Sequence, residues 1–186
     1  MSLSGPEWVL KFPTSKSLED LTEPFRTNAK HFVAALQASH ASVSIAATLR
    51  SAERVHLMHF SFAVAREGLD AGHVPAKQDI DIQWVHLDVQ GKPDLTASKA
   101  AAEQMVRAYE IVFKPSLTSR HTEGNAIDMT ITWQGHLRIM DAKGCRVTIA
   151  SHPFTGAGNS ELHKLGLGYG VNKLLSDAPH WSSDGH

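Results

Sequence analysis

The sequence predicts an α+β fold in which N-terminal helices pack on a small, mostly antiparallel sheet. Apolar residues recur at helical spacing in much of residues 17–113, whereas after Pro115 the pattern changes to period-two alternation and turn signals. The 186 residues, 42% hydrophobic and 20% charged, suit one domain over 1–186 with a sizeable core.

The elements follow in order. Residues 17–40 read as a helix: Ser17 can cap it, and Leu18, Leu21, Phe25, Phe32 and Leu36 fall near helical spacing. Pro24 must sit in its first turns or kink it. Val43–Ala47 is a short strand of small and β-branched residues that delivers Arg50 at its end, and Ser51 can cap a second helix to about Arg66. Gly68 to Pro93 is the least regular stretch, punctuated by Gly72, Pro75, Gly91 and Pro93. Within it Ile80, Ile82 and Trp84 alternate with Asp79, Asp81 and Gln83, as in a short strand. Thr96 is expected to cap a third helix, Ala97–Phe113, with Ala100, Met105, Ala108, Tyr109 and Val112 on one stripe. Ile127, Met129, Ile131 and Trp133 then mark a half-buried strand with Asp128 on its opposite face. Leu137–Met140 and Arg146–Ala150 read as a hairpin around 141–144. Asn159 or Ser160 can cap a short helix ending at Gly166 or Gly168, and a last strand or turn leads to His180.

Bulk properties exclude several functions. Net charge is −1 with no basic block, which argues against a nucleic-acid or anionic-membrane partner. No stretch approaches the roughly 18 apolar residues of a membrane span. The start lacks a positive region followed by an apolar run, so no signal peptide is visible. Cys145 is the only cysteine, which rules out an intramolecular disulfide and a cysteine-based metal site.

The chemistry concentrates in two segments. Ser119-Arg120-His121-Thr122-Glu123-Gly124-Asn125-Ala126-Ile127-Asp128 offers an imidazole and a carboxylate across a glycine turn. Asp177-Ala178-Pro179-His180-Trp181 offers another imidazole with a carboxylate three residues before it. Two neutral histidines and one ionised aspartate are a common ligand set for a catalytic zinc ion, Zn2+, with a fourth position open to water. The remaining carboxylate can then act on that water as a base, a division of labour that points to metal-assisted hydrolysis. In a regular strand positions i and i+3 face opposite ways, so Asp177 and His180 need a turn or bulge between them. Read alone, His121 could be a solvated loop residue and Asp128 a turn cap. Trp181 walls the site or packs in the core, and Ser119 holds the loop or touches substrate.

Ser119-x-His121-x-x-Gly124-x-Ala126-x-Asp128, followed by carboxylate-x-x-His180-Trp181, resembles the zinc peptidases of the D-alanyl-D-alanine carboxypeptidase/VanX-type group. That group includes phage L-alanyl-D-glutamate endopeptidases. The resemblance runs from about Ile45 to Trp181 and includes Leu49-Arg50-Ser51-Ala52-Glu53 before a helix. It implies His121, Asp128 and His180 as zinc ligands and Asp177 as general base. Arg50 would bind a substrate carboxylate or an oxyanion, for which its planar fork of donors is suited. The implied function is zinc-dependent hydrolysis of peptidoglycan peptides containing D-amino acids, as an L-alanyl-D-glutamate endopeptidase. The alternatives are a D-alanyl-D-alanine carboxypeptidase or dipeptidase, and an inactive zinc-containing binding module. An iron oxygenase also uses two histidines and a carboxylate, but its carboxylate usually lies two residues from the first histidine, not seven. The family's base is usually glutamate; the shorter Asp177 departs from that. Residues 68–95 are expected to be a substrate-side insertion. The implied location is the cytoplasm, or the cell wall after lysis or secretion. His56 and His59 share a helix at i and i+3 with no carboxylate partner in sight and read as structural; His152 and His163 stay unassigned.

Overall fold

The computed structural model describes residues 1–186 and shows an α+β protein. The first half contains β1 (Ser2–Leu3), α1 (Phe25–Ala38), β2 (Ser42–Ala47), α2 (Ala52–Arg66), β3 (Ile82–Gln83), β4 (His86–Leu87), β5 (Pro93–Asp94) and α3 (Leu95–Ala108). The second half contains β6 (Ala126–Thr132), β7 (Leu137–Met140), β8 (Arg146–Ile149), α4 (Ser160–Gly168), β9 (Asn172–Lys173) and β10 (His180–Ser182). These elements form two compact units, residues 1–13 with 51–119 and residues 14–50 with 120–186. No helix is long and apolar enough to cross a membrane.

In the first unit α2 packs on α3 around Leu57, Phe60, Val64, Ala102, Met105 and Val106, with Trp8 and Trp84 in the same core. The Ser51 hydroxyl accepts from Arg54 N–H at 3.2 Å, so α2 begins where its cap was expected. The third helix differs from expectation at both ends. Asp94, not Thr96, caps it by accepting from Ala97 N–H at 2.8 Å. It stops at Ala108 because Glu110 turns left-handed (φ 57°), while Glu110 N–H donates to Arg107 O and Ile111 N–H to Val106 O, each at 3.0 Å. That is a Schellman ending without its usual glycine. Val112 and Phe113, expected on the helix, are left exposed. The expected strand around Ile80–Trp84 shortens to β3, which pairs in parallel with β1.

The second unit is built on a four-stranded antiparallel sheet in the order β2-β6-β10-β9. Its central strand β6 buries Ile127, Met129 and Ile131 on one face and turns Asp128, Thr130 and Thr132 to the other, as the alternation predicts. Helix α1 covers the apolar face with Phe25, Ala29, Phe32, Val33 and Leu36, and Trp181 fills the same core. Each large apolar side chain buried there is worth about 1.5–3 kcal/mol. The helix does not begin at Ser17, which caps only the turn Leu18–Asp20; Pro24 instead stands at the start of α1, where its missing N–H costs nothing. Across the β7–β8 hairpin, Asp141 Oδ1 accepts from the N–H groups of Lys143 and Cys145. Asn159 caps α4. Arg50 N–H donates to His121 O at 3.1 Å, so the chain leaves this unit and returns to it at neighbouring points.

Candidate metal centre

The carboxylate of Asp128 is set by pleat and register. Asp128 projects from β6 away from the core, and β10 places His180 directly opposite it. The pair is one through which no ladder bonds pass, because Met129 N–H donates to Pro179 O at 2.8 Å, so the side chains lie close. His180 Nδ1 stands 3.1 Å from Asp128 Oδ1.

His121 arrives from a pinned turn. Arg120 forms ion pairs with Glu123 and Asp184, and Asn125 N–H donates to Arg120 O at 2.8 Å. Gly124 has φ 70°, and a side chain there would meet Thr22 N at 3.1 Å, so the turn needs glycine twice over. As a result His121 Nε2 lies 3.1 Å from Asp128 Oδ1 and 3.2 Å from His180 Nδ1. Both imidazoles are buried and Asp128 is partly so. The three residues named from sequence therefore converge on one point and could bind a metal ion.

The outer hydrogen bonds decide which nitrogens carry protons. His121 Nδ1 lies 2.7 Å from Thr48 O, and His180 Nε2 lies 3.1 Å from His186 O. A carbonyl only accepts, so each of these nitrogens donates. The inward nitrogens of the neutral rings are then bare lone pairs aimed at a carboxylate oxygen. Three acceptors about 3 Å apart repel unless a cation, or added protons, lie among them. Carbonyls that hold the outer ring nitrogen and so fix the tautomer are the usual support for histidine ligands. Burial opposes ionisation of Asp128, but once the inward nitrogens take up protons, hydrogen bonds from the two imidazoles outweigh it and hold the carboxyl well below its ordinary range. For His180, burial disfavours the charged form and Asp128 more than offsets that, raising its proton affinity. The pocket attracts positive charge.

The other expected residues occupy distinct places. Arg50 Nη2 is 3.9 Å from Asp128 Oδ2. Asp177 lies on an exposed turn outside the donor cluster, where Asp177 N–H donates to Leu174 O and His180 N–H to Asp177 O. The chain thus turns between Asp177 and His180. Trp181 faces the opposite side from His180, fully buried against Phe32 and His163, so it is a core residue. Ser119 is the last residue of the first unit and is not among the three donors. His56 is buried against Phe60, and His59 Nδ1 bonds Pro115 O at 2.8 Å, so both serve the first unit. His163 Nε2 bonds Gly156 O at 2.9 Å.

Three participants were not foreseen. Thr48 and His186 act through main-chain carbonyls, which carry no residue-specific signature. Lys173 Nζ donates to the carbonyls of Leu174, Asp177 and His180, gathering the turn that carries Asp177. No protein-family model matches the chain, and no curated protein matches it.

Proposed function

We propose that this protein is a zinc hydrolase of peptidoglycan peptides containing D-amino acids, acting as an endopeptidase of the L-alanyl-D-glutamate type. The observation that carries the reading is the convergence of His121 Nε2, His180 Nδ1 and Asp128 Oδ1, with the outer ring nitrogens already committed to carbonyls. Tetrahedral sites with bonds of about 2.0–2.1 Å have donor–donor separations of roughly 3.3 Å. The separations of 3.1–3.2 Å here fit that donor set. Two imidazoles and a single carboxylate leave a dication with net positive charge.

Zinc held there would supply Lewis acidity, acidifying water and polarising a scissile carbonyl. Asp177 takes the proton and returns it to the leaving amine, its turn held by Lys173. Arg50, close enough to Asp128 to share its charge, presents remaining donors to a substrate carboxylate or to the developing oxyanion. The substrate class rests on the resemblance of the two sequence segments to the peptidase family.

The test is digestion of purified peptidoglycan by the zinc-loaded protein, with new termini identified by mass spectrometry. New N-terminal D-glutamyl ends that disappear with a chelator support the endopeptidase. Free D-alanine replaces it with the carboxypeptidase reading, and zinc binding without any new terminus replaces it with a binding module.

A further inference from the structure

Strand β6 has an interrupted edge immediately beyond the metal ligand Asp128. Met129 N–H donates to Pro179 O, and Ile131 O accepts from Gly156 N–H at 2.8 Å. Both main chains therefore point to the side of β6 opposite β2. Between these two bonds the remaining groups on that edge are unpaired within the protein: Met129 C=O accepts no hydrogen bond and Ile131 N–H donates none. The neighbouring chains diverge there: β10 begins at His180, and only Thr155 bridges to Thr132 on the far side. The space left is a notch of about 330 Å³ walled by Thr130, Thr155, Ala157, Ala178 and Pro179.

We infer that this notch binds one extended residue of the peptide substrate by its main chain, adding it to β6 beside the metal centre. A C=O and an N–H two residues apart on one strand are the pair that a single extended residue of a neighbouring strand satisfies, one bond through each of its peptide groups. The lining carries no charged side chain, so the matching segment is uncharged main chain with a small side group. Position adds a second reason. Asp128, Thr130 and Thr132 share a face of β6, and residues two apart on one face are about 6.6 Å apart, so a peptide opposite Thr130 reaches the metal donors within one or two residues. Gly156 sets the far wall: a side chain there would meet Ile131 Cβ at 2.9 Å, so the glycine lets its N–H close on Ile131 O and end the notch. Recognition by main chain does not read side-chain chirality directly, which suits a peptide that mixes L- and D-residues.

This inference deepens the proposed function and rests on it for the choice of peptide. The test uses the zinc-loaded full-length protein carrying Asp177→Asn to slow turnover, a synthetic stem pentapeptide of peptidoglycan as probe, and backbone amide NMR. The Ile131 amide is expected to shift and to exchange with solvent at least tenfold more slowly at saturation, a readout that needs no change at the notch. Adding Ala157→Phe, which fills the notch from an exposed position, is expected to weaken binding at least tenfold and abolish the Ile131 shift with zinc content unchanged. Binding that leaves Ile131 unmoved, binding indifferent to Ala157→Phe, or no binding overturns the inference. The two readings separate cleanly. A protein that binds the peptide through Ile131 but, with Asp177 intact, cuts nothing loses only the hydrolase; one that cuts it with Ile131 unmoved loses only the notch.

Discussion

Replacing Asp128 by asparagine separates the metal's contribution from the fold's. Asp128 Oδ1 is the shared neighbour of both inward nitrogens, at 3.1 Å from each. Asp128→Asn keeps the side-chain shape, removes the only anion among the three donors, and supplies an amide N–H that can donate to an imidazole nitrogen. Whatever the Asp128 carboxylate contributes to the metal-free fold through the imidazoles and Arg50 is lost in both states, so each protein's zinc-induced change isolates the metal. The zinc-loaded form should change greatly. At free zinc a thousand times the parental Kd, binding stabilises by about 4.1 kcal/mol. For a chain of this length that is about 8–16 °C in Tm. If losing the anionic ligand weakens zinc a thousandfold, the same free zinc stabilises by only about 0.4 kcal/mol, or roughly 1–2 °C. The assay is scanning calorimetry of both proteins, metal-free and at matched buffered zinc. A variant that keeps the parental zinc-induced shift would refute the assignment of Asp128 as a ligand.

Asp177→Asn should retain zinc, measured by elemental analysis, while hydrolysis of a peptidoglycan peptide falls at least a hundredfold; loss of zinc would instead make Asp177 a ligand. Gly166→Ala should destabilise although alanine is the better helix former by about 1 kcal/mol. Its added carbon would lie 2.7 Å from Val171 O and 2.8 Å from the Trp181 ring, and overpacking costs about 1–3 kcal/mol, so a raised Tm would be the wrong sign. Burial, aided by Lys77, pushes the His56 proton affinity below the ordinary histidine value. The unfolded state then binds the proton more readily than the folded one, so stability is full above about pH 6.5 and declines as pH falls below it. His56→Phe should flatten that slope in denaturant titrations between pH 7 and 5, and an unchanged slope would acquit His56.

What was legible in the sequence was local. The Ser51 cap of α2, the alternation of β6 and the 141–144 hairpin turn are each written in a few adjacent residues, and each stands where it was read. The errors also have local causes. Helix α3 stops at Ala108, just before a left-handed Glu110 that is not glycine, so it carries no usual stop signal. Pro24 separates Leu18 and Leu21 from the helix whose spacing they happen to share. For the candidate metal centre, the resemblance to the peptidase family singled out His121, Asp128 and His180, but only strand register shows why Asp128 and His180 meet. The pairing of His180 with Asp128 is a cross-strand fact with no short-range trace. The carbonyls of Thr48 and His186, and the open groups on β6, belong to the backbone and could not have been read from side chains at all.

The bond from Arg50 N–H to His121 O has a consequence for how this protein can change. Residues 51–119 leave and rejoin the unit that carries the candidate metal donors at positions one hydrogen bond apart, with β2 and β6 paired on one side of that junction. Because the entropic cost of closing a loop grows only slowly with its length, the excursion can be lengthened, shortened or exchanged at modest cost to the unit that holds the donors. Every one of those donors lies outside it. The candidate metal donors thus lie outside the part of the chain most free to be redesigned, and that junction is the natural place to graft another module.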